Sequence, residues 1–254
     1  MTTRQNGSLY TQIQNKIATI EFGHPASNSF PSELLERLRK ELMSVGQNED
    51  VAVIVLKSEG DRAFCAGASF DELVAISNLE EGKQFFSGFA NVINAMRTCG
   101  KLIIGRIQGK TVGGGVGLAA ACDYVLATEH AAVKLSEFTI GIGPFVIEPA
   151  VTRKIGVAGT SELTLDATSW KNAYWAKDKG LYAKVFETQK ELDEEVALLS
   201  EKLASYNPDA LSEMKKALWK GTENWNDLLA ERAAVSGELV LSDFTKKALE
   251  KFKK

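Results

Sequence analysis

Three consecutive glycines, Gly113-Gly114-Gly115, stand between an apolar run and a run of small residues, and few local structures fit all three pieces. Ahead of them, residues 101–107 carry Leu102, Ile103, Ile104 and Ile107 and have the length and make-up of a buried strand. Behind them, Val116-Gly117-Leu118-Ala119-Ala120-Ala121-Cys122-Asp123 reads as a short helix of small side chains. Where side chains are missing, backbone can approach a ligand closely, and the free N–H groups of a helix start can face developing negative charge. The pattern suits an anion or oxyanion site, and it equally suits a tight turn under close packing.

The flanking segments extend this strand–turn–helix rhythm. Residues 13–22 alternate and predict a strand, and His24-Pro25-Ala26-Ser27-Asn28-Ser29-Phe30-Pro31 predicts a turn. Pro31-Ser32-Glu33 then opens a helix with Leu34, Leu35, Leu38 and Leu42 on one face. Residues 51–56 form a continuous apolar run, Glu59-Gly60-Asp61 turns the chain, and helices follow over 71–76 and 80–96. A further strand is predicted over 124–127. This alternation implies an α/β layer architecture with right-handed crossovers.

Beyond about residue 150 the pattern turns helical. Ser169 is placed to cap a helix ending at Gly180, followed by a strand over 181–186. Thr188 and Glu191 have capping-box spacing ahead of Leu192, Val196, Leu199 and Leu203 on one face. Pro208 opens another helix, and amphipathic helices continue from Asn226. The chain therefore divides into an α/β core, residues 1–195, and a helical region, residues 196–254, of the kind that packs on a neighbouring subunit.

Composition narrows the function classes. The 254 residues are 44% hydrophobic and 25% charged, enough for a sizeable core in one large domain or a domain with an appended subdomain. The net charge is −3 and the lysines are dispersed; the cluster at Lys246, Lys247 and residues 251–254 reads as a solvated helix end, so no nucleic-acid partner is expected. The first eleven residues are polar without the apolar stretch of a secretory leader, and no run approaches membrane-span length, so a cytoplasmic location is expected. Cys65, Cys99 and Cys122 are odd in number and lack zinc spacing, which fits small hydrophobes in a reducing compartment. The two histidines, His24 and His130, sit in no motif, so neither a metal site nor a Ser-His-Asp triad is expected. Gly115-Val116-Gly117-Leu118-Ala119-Ala120 matches G-x-G-x-x-A, but the next strand signal at Tyr124 comes too soon for a dinucleotide crossover helix. Gly109-Lys110-Thr111 resembles the end of a P-loop, yet Ile104 stands where that pattern demands glycine.

Two further segments carry chemistry. Residues 62–71, Arg-Ala-Phe-Cys-Ala-Gly-Ala-Ser-Phe-Asp, make a second small-residue turn after a buried strand. Ala66-Gly67-Ala68 and Gly113-Gly114-Gly115 thus each leave a strand with exposed amides, and two such loops on adjacent strands can converge on one oxygen. Residues 134–144 set a carboxylate, Glu137, among apolar neighbours. Desolvation there raises a carboxyl pKa toward neutrality, where it suits proton transfer. On its own, Glu137 also fits an ordinary surface or capping residue.

Together, His24-Pro25 with Asn28-Ser29-Phe30, Phe-Cys-Ala-Gly-Ala-Ser-Phe-Asp-Glu-Leu at 64–73, the glycine motif at 113–123 and Leu-Ser-Glu-Phe-Thr-Ile-Gly-Ile at 135–142 resemble, in order and interval, the enoyl-CoA hydratase/isomerase or crotonase family. The resemblance spans nearly the whole chain. It implies a spiral of repeated ββα units, a helical C-terminal trimerisation region in homotrimers or homohexamers, and acyl-CoA thioesters as substrates. It implies an oxyanion hole of two backbone N–H groups, by position those of Ala68 and Gly114, with Glu137 as an acid/base. Ala66 and the segment Ala68-Ser69-Phe70-Asp71 would line the thioester and pantetheine. No metal or redox cofactor is implied, because CoA arrives as part of the substrate.

One position departs from the family pattern. Two-glutamate hydratases carry a second acid in Gly-Gly-Gly-x-Glu-Leu, and the matching residue here is Gly117. Hydration needs an activated water and a proton for the α-carbon, which one carboxylate supplies only if water relays the proton. Isomerisation needs one base to move a proton between carbons 2 and 4. Glycine here also occurs in members that look like branched-chain enoyl-CoA hydratases, which the stretch from Ser136-Glu137 to Val146-Ile147-Glu148-Pro149 resembles. Glu148 fits either a replacement carboxylate or the acid of a helix N-terminus. The expected reactions are, in order, hydration of a 2-enoyl-CoA to a 3-hydroxyacyl-CoA, isomerisation of an enoyl-CoA between its 3- and 2-forms, and non-catalytic binding of CoA esters. Phe85, Phe86, Phe89 and Phe145 are candidates for the acyl pocket and equally for plain core packing.

Overall fold

The computed structural model describes residues 6–251. It opens with an antiparallel hairpin, β1 (Ser8–Gln14) and β2 (Ile17–Gly23). Asn15 and Lys16 between them both take positive φ, 52° and 63°, the conformation of a two-residue turn that follows strand twist. The single strand expected over 13–22 is therefore the end of one strand, a reversal, and a second strand. Asn-Lys lacks the glycine that marks such turns, so alternation alone concealed it. Helix α1 (Ser32–Gln47) buries Leu34, Leu35, Leu38 and Leu42, the face the sequence predicted.

Three successive units follow. The first is β3 (Val53–Ser58), β4 (Ala63–Cys65), α2 (Phe70–Ala75) and α3 (Leu79–Thr98). The second is β5 (Leu102–Ile107), β6 (Lys110–Val112) and α4 (Gly114–Ala121). The third is β7 (Tyr124–Thr128), β8 (Val133–Lys134), a 3-10 turn (Glu137–Ile140) and α5 (Glu148–Leu165), which kinks at Gly156. Helix α6 (Ala173–Asp178) then leads into β9 (Lys184–Phe186). The first strand of each unit joins a six-stranded sheet ordered β1-β2-β3-β5-β7-β9, and the second joins a three-stranded sheet ordered β4-β6-β8. Every ladder except β1–β2 is parallel. This is the expected spiral of ββα units.

The apolar strand runs are explained by burial on both faces. Along β3, Ile54 and Leu56 point into the main core with Leu38, Ile93 and Ile103, while Val53 and Val55 point the other way. There they meet Ile104, Leu126, and Leu192 and Val196 of α7 (Gln189–Ala204). The Thr188–Glu191 capping box opens α7 as predicted. The expected division at residues 195 and 196 lies inside this helix. The earlier cap is Asn172 rather than Ser169, its side chain accepting the Trp175 N–H at 2.8 Å, and the strand expected over 181–186 shortens to β9.

Helices α8 (Pro208–Leu218), α9 (Trp225–Leu239) and α10 (Asp243–Glu250) complete the described chain. They pack on their own core. Helix α9 runs along α3, where a Cβ added to Gly82 would come within 2.9 Å of the Gly237 backbone, and α10 packs on the 3-10 turn. Cys65, Cys99 and Cys122 are free thiols and buried. Lys246 and Lys247 are exposed; residues 1–5 of the polar N-terminal segment and residues 252–254 of the basic end lie outside the described residues. No helix among the described residues is long and apolar enough to cross a membrane.

Candidate active site

The three chemistry-bearing segments leave the same end of the small sheet. Strands β4, β6 and β8 are neighbours and parallel, with Cys65 opposite Thr111 and Val112 opposite Lys134. Residues 66–68 follow β4, 113–114 follow β6, and 135–137 follow β8. Backbone bonds hold the loops in place: Gly113 N–H donates to Lys134 O at 3.0 Å, Phe30 N–H to Gly67 O at 2.8 Å, and Ser69 N–H to Phe30 O at 2.8 Å. A Cβ added to Gly67 would lie 3.7 Å from the Gly114 nitrogen, so the first two loops touch.

The amides of Ala68 and Gly114 donate to no protein acceptor among the described residues. Gly114 is the first residue of α4, where N–H groups have no intrahelical partner. Both residues border a cavity of about 180 Å³, together with Ala66, Gly67, Gly113 and Glu137. The bare Cα of Gly114 is required, since a Cβ there would meet the Phe89 ring at 2.3 Å. Gly113 is required twice over. Its φ of 53° with ψ of −122° suits glycine, and a Cβ there would come within 2.9 Å of Glu137 Oε1. The glycine turn therefore makes room for the carboxylate as well as for a ligand.

Glu137 begins the 3-10 turn and is half-buried as a residue, while its carboxyl end is enclosed. Its Oε2 is buried without a hydrogen-bond partner. Burial pushes the carboxyl up to about 7, against a smaller downward pull from hydrogen bonds of its own and the Ser136 backbone. Near neutral pH the group is thus divided between acid and base forms, the condition for moving protons in both directions.

Gly117 lies one turn into α4 and does not border the cavity. A Cβ there would meet Ile147 Cγ2 at 2.4 Å and Ile147 Cβ at 2.7 Å. The space a second acid would need is filled by Ile147, which itself lines the cavity. Glu148 supplies no replacement: it begins α5, its Oε1 accepts the Thr152 hydroxyl at 2.6 Å, and it does not line the cavity.

Of the expected substrate contacts, Ala66, Ala68, Phe70 and Gly114 line the cavity, whereas Ser69 and Asp71 do not. The Ser69 hydroxyl instead accepts the Glu72 N–H at 3.3 Å and caps α2, and Asp71 is exposed in that helix's first turn. The Ser-x-x-Glu spacing at 69–72 is a cap signature that explains this. Phe85, Phe86 and Phe89 line the cavity and Phe145 does not. Sequence reasoning missed Ile142, Val146 and Ile147 as lining, and Ser236, which reaches the cavity from α9. Nothing in the local pattern around Ser236 points to a site more than ninety residues upstream.

The sequence model of the family described as enoyl-CoA hydratase/isomerase matches residues 12–253. Among curated proteins, the peroxisomal Delta(3,5)-Delta(2,4)-dienoyl-CoA isomerase of Arabidopsis thaliana is 30% identical over 77% of this chain and 74% of its own length. A probable enoyl-CoA hydratase of Bacillus subtilis is 28% identical over 94% and 93%. Among solved structures, an enoyl-CoA hydratase from Bacillus halodurans matches with a TM-score of 0.88 over 96% of this chain and 99% of that one. At 23% identity that last similarity speaks for the fold alone.

Proposed function

Since this chain belongs to the enoyl-CoA hydratase/isomerase family, we propose that it shifts the double bond of an enoyl-CoA, with Glu137 as its one acid/base and the amides of Ala68 and Gly114 holding the thioester oxygen. The observation that carries this reading is Ile147 in the space beside Gly117, which leaves a single carboxylate on the cavity among the described residues. In the proposed step, ionised Glu137 takes a proton from carbon 2 of a 3-enoyl-CoA. The C–H electron pair moves into the carbonyl and gives a dienolate, whose oxygen rests between two amides already pointed at it. Protonated Glu137 then returns the proton at carbon 4, the double bond settles between carbons 2 and 3, and the carboxylate is regenerated. Such preset donors act without solvent reorganisation, and losing one typically costs about 10²–10³ in rate.

Hydration, first in expectation from the motifs, is the second reading. Ser136 favours it, because the residue lines the cavity beside Glu137 and its hydroxyl has no protein partner among the described residues, so it offers a place to hold water. Curated relatives named as hydratases agree with it. Incubation of the purified protein with 3-hexenoyl-CoA and with 2-butenoyl-CoA in ¹⁸O-labelled water separates the readings. Migration of the double bond without label supports isomerisation, and label at carbon 3 supports hydration. Binding of either ester without turnover supports a CoA-binding protein. Assembly as a homotrimer or homohexamer is part of the same proposal, and light scattering on the purified protein tests it.

A further inference from the structure

The cavity that holds Glu137 also has a composition that limits what it accepts. Beyond the two loops, its wall is made by Phe85, Phe86 and Phe89 of α3 with Ile142, Val146 and Ile147. These side chains are fixed in place. Phe85 packs edge-on against Phe86 at 5.1 Å and Phe89 edge-on against Phe30 at 5.9 Å. Phe89 and Ile147 each stand against a motif glycine, Gly114 and Gly117, so neither can retreat into the glycine helix. The polar side chains on the lining are Ser136, Glu137 and Ser236, and no lysine, arginine or histidine is among them.

Two physical limits follow. The volume is about 180 Å³. An apolar cavity of about 150 Å³ holds one benzene ring. The walls surround a short chain, and carbons beyond it would leave through the cavity's open side without further wall to pack on. A second carboxylate at the far end of the acyl group would be buried against aromatic and aliphatic walls with no cation among the described residues of the lining to pair it, and it would face Glu137 across the same cavity. An unpaired buried charge is strongly disfavoured, and a neighbouring carboxylate adds repulsion.

We propose that the acyl group taken at this site is short and uncharged: a hydrocarbon of about six carbons or fewer, with no distal carboxylate. The proposal rests on the acyl-CoA reading above and goes beyond it, since the curated relatives include a 2,3-dehydroadipyl-CoA hydratase of Escherichia coli and a mitochondrial methylglutaconyl-CoA hydratase of Rattus norvegicus. It sets this chain apart from proteins whose named substrates carry a second acid.

Titration calorimetry of the purified protein with three saturated, unreactive thioesters tests it: pentanoyl-CoA, glutaryl-CoA of equal length with a terminal carboxylate, and dodecanoyl-CoA. The expected result is that pentanoyl-CoA binds at least about tenfold more tightly than glutaryl-CoA, and that dodecanoyl-CoA gains nothing over pentanoyl-CoA. Glutaryl-CoA binding as well as pentanoyl-CoA, or dodecanoyl-CoA binding about tenfold more tightly than pentanoyl-CoA, overturns the inference and leaves the acyl-CoA reading standing. Binding of none of the three overturns both.

Discussion

The two ends of the eight-residue helix α4 are built on opposite terms. At its start, the Gly114 amide has no acceptor, and the carboxylate beside it, Glu137, keeps an orphan oxygen. Just past its end, every oxygen of the Asp123 carboxylate is engaged. Oδ2 accepts from Ile103 N–H and Lys215 Nζ, each at 2.7 Å, and Oδ1 accepts from Trp219 Nε1 at 2.7 Å. Lys154 Nζ reaches the Asp123 carbonyl at 3.0 Å, and the Arg153 guanidinium stacks 4.2 Å from the Trp219 ring. An acid at a helix C-terminus is opposed by the helix dipole, and these cations offset that. The Lys215 and Asp123 side chains are only 2% and 5% exposed, so the cluster fastens α8 to β5 and the end of α4. The contrast is between a carboxylate engaged at both oxygens, which fastens elements together, and one that keeps an unpartnered oxygen beside a cavity, as the proposed acid/base requires.

The sharpest way to break this contrast is to remove the unpaired acid. Glu137→Gln is expected to lower turnover of the enoyl-CoA substrate by about 10³-fold while acyl-CoA binding persists. Steady-state kinetics beside calorimetry checks it, and an undiminished kcat would remove Glu137 from the mechanism. The mirror experiment is Lys215→Met, which leaves Asp123 buried without its cation. Urea unfolding should show a loss of about 3–5 kcal/mol with kcat per folded molecule unchanged. Ala68→Pro deletes an N–H that serves no structural bond, so kcat per folded molecule is expected to fall about 10²–10³-fold, read beside circular dichroism that follows the folded fraction.

The pH dependence sharpens the contrast further. Glu137 titrates at about 7 in the folded chain against 4.5 ordinarily, so the unfolded chain releases this proton first. Between those values the folded state binds more protons, and stability falls as pH rises, by up to about 3 kcal/mol. Activity moves the other way, rising with the ionised form and levelling above pH 7 or so. Urea unfolding at pH 5 and pH 8 should show the stability loss in the native protein and not in Glu137→Gln.

Local signals were enough for much of this. The glycine turn, the small-residue helix, the strand runs of β3 and β5 and the Thr188–Glu191 cap are each written in a few neighbouring residues. Convergence of 66–68 and 113–114 was legible as well, because turns that leave adjacent strands can meet at one sheet end, whereas Glu137 was joined to them only by the family resemblance. What escaped depended on distant partners or on missing punctuation. The β1–β2 reversal uses Asn15-Lys16 without glycine, the Ile147 plug lies thirty residues from Gly117, and Lys215 meets Asp123 ninety-two residues away. Ser69, expected at the substrate, is engaged by its capping bond with Glu72.

A crystal structure with pentanoyl-CoA bound is the most direct test of the central claim. It should place the thioester oxygen about 2.7–3.1 Å from both the Ala68 and Gly114 nitrogens, with the Glu137 carboxyl against the acyl carbons. A thioester oxygen turned to solvent, or an acyl chain lodged away from Glu137, would contradict it.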